Sequence, residues 1–176
     1  MKRTSKQAEP GTPPTGGATR AEIERQAQEI ISRLGAEALA EIYRQRVRAD
    51  RTRRYELPAP TGTSQPRVEI MHTLLGIELK IGRRRLSCPD LSTARYLAIF
   101  VRLGVASIGL PYDITRLARL ADDLESSWFR MMMMAESLMD EIDPKLTSRL
   151  KRRLVEIQRE EIEIIGPGPI APRFNR

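Results

Sequence analysis

Hydrophobic residues recur at helical spacing in the first third of the chain. The apolar positions that follow one another every three or four residues are Ile23, Ala27, Ile30, Ile31, Leu34, Ala38, Leu39 and Ile42. This spacing places the side chains on one face of a helix. The pattern predicts a helix over residues 20–54, with a break or bend at Gly35.

Two long helices are predicted near the other end of the chain. Apolar residues keep helical spacing over residues 113–139, with Asp113 as the expected cap. Asp143 and Pro144 are typical of a new helix start, and the pattern continues to roughly residue 163. A short turn between these two helices favours antiparallel packing.

The middle of the chain alternates apolar and polar residues instead. Ile77, Leu79 and Ile81 alternate with polar positions, Gly82 marks a turn, and a second short run ends at Cys88. Alternation on both sides of a glycine predicts a β-hairpin.

A helix and a buried strand are predicted after the hairpin. Asp90 is a suitable helix cap and Gly104 a suitable helix end. Residues 105–110, the run VASIGL, are apolar and lie between a glycine and a proline, which indicates a buried strand.

These elements predict an α+β protein that is rich in helix. A small β-hairpin and one further strand are expected to pack on long C-terminal helices. Proline and glycine content divides the chain into a disordered N-terminal tail (1–18), an N-terminal helical segment with a basic end (19–56), a linker (57–66), an α+β domain (67–165) and a C-terminal tail (166–176).

Composition narrows the classes of partner and compartment. The net charge of +7 and the pI near 10.1 favour contact with a polyanion such as DNA or RNA. No apolar stretch approaches the roughly 18–20 residues of a membrane span, so no membrane partner is expected. The single cysteine, Cys88, excludes an internal disulfide and favours the reducing cytoplasm.

The run RQRVRADRTRR at residues 44–54 is the main candidate site. If it is helical, steps of 100° put four arginines within an arc of about 120°, away from the apolar face. These residues, the arginine stripe, are Arg44, Arg48, Arg51 and Arg54. The stripe could follow a phosphate backbone, or it could be a solvated helix end that favours cations.

A second basic cluster lies at the predicted hairpin turn. It consists of Arg83, Arg84 and Arg85, with Lys80 on the preceding strand. Whether this cluster meets the arginine stripe depends on the fold, so both are candidates for nucleic-acid binding.

Four consecutive methionines, Met131, Met132, Met133 and Met134, point around the whole of a predicted helix. At least one of them must therefore lie off the core-facing side. Methionine adapts to irregular surfaces, so the segment is a candidate interface with a second copy or a partner helix, as well as a candidate for packing within the chain.

One short motif resembles a known enzyme class. The strand with Glu78 and Lys80, followed by a second strand, a helix and a buried strand, resembles part of the restriction-endonuclease-like nucleases over residues 75–111. That resemblance implies a metal-dependent nuclease, but the expected upstream aspartate is missing: the nearest acids are Glu69 and Glu56. An alternating strand with both charges exposed explains the motif equally simply.

No other catalytic set is visible in the sequence. No phosphate loop, zinc spacing or calcium loop is present, so no cofactor, metal ligand or catalytic residue is assigned. The sequence therefore predicts a non-enzymatic accessory protein that binds a polyanion. The alternatives are an assembly module that uses the methionine helix and the nuclease.

Overall fold

The computed structural model of the protein describes residues 19–58, 67–139 and 144–168. The helices within these ranges are α1 (Arg20–Leu34), α2 (Leu39–Ile42), α3 (Leu91–Leu103), α4 (Leu117–Met139) and α5 (Pro144–Ile165). A π-helical turn, Tyr43–Val47, follows α2, and a 3-10 turn, Ile114–Arg116, precedes α4. The predicted tail 1–18 lies outside the described residues.

The strands form two antiparallel sheets. The strands are β1 (Thr52–Glu56), β2 (Val68–Thr73), β3 (Gly76–Ile81), β4 (Arg84–Cys88) and β5 (Ser107–Pro111). One sheet pairs β1 with β5, and the other has the order β2-β3-β4. The α+β class, the hairpin of β3 and β4, and the apolar strand β5 are confirmed, whereas β1 and β2 were not predicted.

The ends of α3 are set by its capping residues. The carboxylate of Asp90 accepts hydrogen bonds from the backbone N–H of Thr93 at 2.7 Å and from its hydroxyl at 3.0 Å. Gly104 ends the helix in the left-handed region at φ 77°, which glycine adopts without steric cost. Both capping predictions are confirmed.

Helix α3 lies at the centre of the core. It packs against the three-stranded sheet and against α4 and α5, while α1 packs against α4 and α5. Its side chains are buried on almost every side, and Phe100 contacts the rings of Tyr43 and Tyr96. Residues from α1 to α5 therefore share one continuous core.

The last two helices run antiparallel. A 3-10 turn before α2, Gly35–Glu37, supplies Glu37, whose carbonyl accepts a hydrogen bond from Ser127 of α4. Three residues beyond that turn, the backbone N–H of Ala40 donates to Gln158 of α5 at 2.8 Å. Ser127 and Gln158 lie at similar distances from the connection between the two helices, so the helices pass the same point in opposite directions.

The predicted break at Gly35 is confirmed, but the prediction that the helix continues to residue 54 is wrong. Helix α1 ends at Gly35, where φ is +53°, and the helical chain that resumes in α2 ends near Arg48. Residues 52–56 instead form β1, whose backbone pairs with β5 more than fifty residues further along the chain. This long-range pairing overrides the local helical pattern.

Two tyrosine hydroxyls form hydrogen bonds with the backbone of Gly109 in the buried strand β5. The hydroxyl of Tyr43 accepts a hydrogen bond from the N–H of Gly109 at 2.7 Å and donates to the carbonyl of Gly166 at 3.0 Å. The hydroxyl of Tyr96 donates to the carbonyl of Gly109 at 2.6 Å. Burial raises the pKa of both phenols, so they stay neutral and able to donate. The two side chains thus satisfy backbone groups that a third strand would otherwise pair with.

Two segments predicted as linker and tail contribute to this core. Leu57 is buried, and its N–H donates to the carbonyl of Ala106 at 2.9 Å. Gly168 lies so close to Arg48 and Thr52 that a Cβ atom at this glycine would be 2.5 Å from the Arg48 guanidinium. Residues 59–66 and 169–176 lie outside the described parts of the chain.

Candidate anion-binding surfaces

The arginine stripe does not exist as one helix face, because the helix ends before it is complete. Arg44 lies on the π-helical turn and forms an ion pair with Glu41. Arg54 lies on β1 and forms an ion pair with Glu56 at 2.5 Å. Two of the four cations are therefore already neutralised by neighbouring carboxylates.

The other two members of the stripe are engaged by neutral groups. Arg48 donates to the hydroxyl of Thr52, and its Nε atom is buried without a hydrogen-bond partner among the described residues. The guanidinium of Arg51 lies 5.0 Å from the ring centre of Tyr112, which is a cation–π contact. These four arginines do not lie on one helix face, so their role in nucleic-acid binding stays a prediction without its original geometry.

The second predicted cluster lies at one end of the three-stranded sheet, with Lys80 and Arg85 on one face and Arg84 on the other. Gly82 and Arg83 make the turn between β3 and β4, and the N–H of Gly82 donates to the carbonyl of Arg67 at 3.2 Å. Glu69, Lys80 and Arg85 lie opposite one another in the next row of the sheet. We call the cations at this end the basic hairpin end: Arg67, Lys80, Arg83, Arg84 and Arg85.

Only part of the basic hairpin end is neutralised. Glu69 contacts Arg67 at 2.6 Å and Lys80 at 3.2 Å, and the hydrogen bond from Lys80 and then the charge of Arg67 lower the pKa of Glu69. Glu78 pairs with Arg85 at 3.2 Å. Within the described ranges no carboxylate pairs with Arg83 or Arg84, and both side chains are exposed. The excess positive charge is therefore at the turn itself.

A third cluster, which the sequence did not predict, lines a cleft between the π-helical turn and the start of α4. The cleft has a volume of about 410 Å³, and we call it the arginine pocket. Its lining residues are Arg46, Thr115, Arg116, Arg119, Leu120 and Asp123. The three arginines come from segments about seventy residues apart, so only the fold brings them together.

The methionine segment is divided between the core and the surface. Met131 is fully buried, and Met132 and Met134 are partly buried against the core, whereas Met133 is 67% exposed. The prediction that at least one methionine lies off the core-facing side is confirmed. Phe129, one turn before Met133, is also 61% exposed, so an apolar pair faces outward on α4. The interface itself stays a prediction.

The two charged residues of the nuclease-like motif, Glu78 and Lys80, form ion pairs with neighbouring side chains on the sheet. Glu78 accepts from Arg85, and Lys80 donates to Glu69. β5 pairs with β1 and does not join the sheet that contains the motif. In the described parts of the chain no three histidine, cysteine, aspartate or glutamate residues are grouped to hold a metal ion.

Cys88 is buried at the end of β4, and burial raises the pKa of its thiol. A raised pKa lowers the fraction of reactive thiolate at neutral pH, so this cysteine behaves as a packing residue.

The chain matches no protein-family model, no characterised protein and no solved structure. Among the helices that the structure describes, none combines the length and apolar character that crossing a membrane requires. Three surfaces remain as candidate sites: the basic hairpin end, the arginine pocket and the exposed pair Phe129 and Met133 on α4.

Proposed function

We propose that the protein binds double-stranded nucleic acid, preferably B-form DNA, through the basic hairpin end. The observation that supports this proposal is the position of Arg83 and Arg84, which are exposed at the turn between β3 and β4 in the three-stranded sheet, without an acidic partner in the described chain. Arginine binds phosphate oxygens with two parallel N–H groups and is the favoured side chain for that contact.

The shape of this surface suits a duplex. The major groove of B-form DNA is about 12 Å wide, so exposed arginines on a turn can reach into it, whereas the major groove of A-form RNA is too narrow for side chains to read. Arg67 and Arg85 are paired with Glu69 and Glu78, so the expected phosphate contacts come from Arg83 and Arg84. The expected binding is driven by phosphate contacts and is therefore strongly salt-dependent.

Replacing both turn arginines, Arg83→Gln with Arg84→Gln, is expected to weaken DNA binding and to flatten its salt dependence. Each phosphate contact contributes about 0.9 to the slope of log affinity against log salt, so the slope should decrease in magnitude by about 1.8. Titration of a fluorescent 20-base-pair duplex at several salt concentrations measures both quantities. Double-stranded RNA of the same length is expected to bind more weakly than the DNA.

The matched control removes the same charge elsewhere. Arg25 and Arg33 lie on α1 and are paired with Glu22 and Glu29. The variant Arg25→Gln with Arg33→Gln should leave the salt slope unchanged if binding is local to the hairpin. Equal losses in the two double variants, or no binding of the wild-type protein at 50 mM salt, would refute the proposal.

The exposed pair of Phe129 and Met133 supports a second candidate function, assembly through α4. An apolar pair on an otherwise packed helix is a common feature of interfaces. If α4 mediates assembly, light scattering should show a dimer whose mass does not change with salt, and Met133→Glu should reduce it to a monomer. A wild-type monomer at every concentration tested would remove this candidate.

A further inference from the structure

Two of the arginines that line the arginine pocket are held in position by ion pairs within the protein. Arg46 forms an ion pair with Asp123 of α4, and Arg116 forms one with Asp50 of the loop before β1. Each guanidinium is thus oriented by a carboxylate from a different segment, and each keeps further N–H donors, since a guanidinium has five. A ligand in the cleft would meet donors whose positions are already fixed.

The pocket also contains a cation that nothing in the described chain neutralises. Arg119 lines the cleft, and no carboxylate among the described residues pairs with it. Asp113 caps the 3-10 turn before α4 and accepts hydrogen bonds from the N–H and hydroxyl of Thr115. When Asp50 and Asp123 are set against Arg46 and Arg116, the charge that remains is that of Arg119.

Arg119 lies in the first turn of α4, which carries no acidic residue. The 3-10 turn that leads into α4 is capped by Asp113, and Arg116 of that turn is paired with Asp50. Arg119 is thus the arginine at this helix end that no described carboxylate pairs with. Positive charge in the first turn of a helix is unfavourable, and an anion bound to Arg119 would offset it.

The opposite wall of the pocket is a π-helical turn. The N–H of Arg48 donates to the carbonyl of Tyr43 at 2.9 Å, five residues earlier, and Arg46 lies inside this widened turn. Such turns are rare and occur frequently at functional sites. A neighbouring cleft shares Arg46 and Asp123 with the arginine pocket and contains Arg130, but Glu37 neutralises that arginine.

We infer that the arginine pocket is a binding site for a phosphate group, with Arg119 as its principal contact and Arg46 and Arg116 as supporting donors. A phosphate oxyanion matches the paired N–H groups of guanidinium. This site is separate from the basic hairpin end, so the inference does not depend on the proposed DNA contact there.

The test uses the full chain with inorganic pyrophosphate, at ionic strength held constant with chloride. Calorimetric titration of the wild-type protein should show saturable binding, and Arg119→Gln should weaken it by at least about tenfold, the loss typical of a hydrogen bond to a charged group. Arg25→Gln on α1 removes the same charge and should bind pyrophosphate as the wild type does. No binding by the wild-type protein, or equal binding by Arg119→Gln, would overturn the inference.

A second variant distinguishes loss of pyrophosphate binding from loss of the folded structure. Arg119→Glu places an acid in the first turn of α4, so the free protein should be at least as thermally stable as the wild type, yet it should not bind pyrophosphate. If Arg119→Glu keeps the pyrophosphate affinity of the wild type, the pocket is not the site.

The source of the phosphate is distinguished with the 20-base-pair duplex. If the group belongs to a nucleic-acid backbone, Arg119→Gln should lower the affinity for the duplex as well as for pyrophosphate. If it belongs to a small phosphorylated ligand, Arg119→Gln should leave duplex affinity unchanged. The Arg83→Gln, Arg84→Gln variant should bind pyrophosphate normally in either case, so failure at the hairpin and failure at the pocket give different results.

Discussion

Phe100→Ala is expected to lower the free energy of unfolding by about 3–5 kcal/mol, the range for truncating a buried phenylalanine. The ring of Phe100 is fully buried on α3, with ring centres 5.5 Å from Tyr43 and 5.0 Å from Tyr96. Both neighbouring rings are fixed by hydrogen bonds to Gly109 or Gly166, so they cannot move to fill the cavity. Urea denaturation followed by circular dichroism measures the change.

The chain offers the same substitution at an exposed site as a control. Phe129 is 61% exposed on α4, so Phe129→Ala should change the free energy of unfolding by no more than about 0.5 kcal/mol. Both variants are to be compared at a protein concentration at which the protein is monomeric. Similar losses in the two variants would show that Phe100 does not have the central position described above.

Tyr43→Phe is expected to lower the free energy of unfolding by about 2–3 kcal/mol although it removes a single oxygen atom. The substitution leaves the N–H of Gly109 and the carbonyl of Gly166 without their partner. A buried polar group that loses its hydrogen bond costs about 1–3 kcal/mol. The packing of the ring against Phe100 is retained, so the loss reports the hydroxyl alone.

Tyr112→Phe is the control for the Tyr43 hydroxyl. Tyr112 is 47% exposed, and water can replace any contact that its hydroxyl makes. Its removal should change stability by less than about 0.5 kcal/mol. Hydrogen exchange adds an independent readout, because the amide of Gly109 should exchange faster in Tyr43→Phe and at the wild-type rate in Tyr112→Phe. Unchanged protection of that amide in Tyr43→Phe would contradict the hydrogen-bonding scheme.

The elements that the sequence predicts correctly are those with local signals. Asp90 and Gly104 mark the ends of α3 by capping chemistry, and Pro144 marks the start of α5. The alternation around Gly82 predicts the hairpin. β1 was missed because its stabilising partner, β5, lies far away in sequence, and nothing local in residues 52–56 outweighs the helical pattern before them.

The candidate sites likewise divide into those formed by neighbours in sequence and those formed only by the fold. The hairpin arginines are neighbours in sequence, so the turn that exposes Arg83 and Arg84 could be predicted with them. Arg46 and Arg119 meet only through the packing of the π-helical turn on α4, and no spacing rule connects them. One local signal was available: Arg119 lies in the first turn of a long helix, where acidic side chains are favoured.

The contact between the first and last helices determines when the protein can complete its fold. Helix α1 ends at Leu34 and α5 begins at Pro144, 110 positions later, yet Arg153 of α5 holds Glu24 of α1 at 2.6 Å. At a synthesis rate of about 5–20 residues per second, the ribosome needs roughly 5–20 s to synthesise the chain between the end of α1 and the start of α5. The apolar face of α1 packs against both α4 and α5 in the folded protein, so it is covered completely only after the last helix has been synthesised.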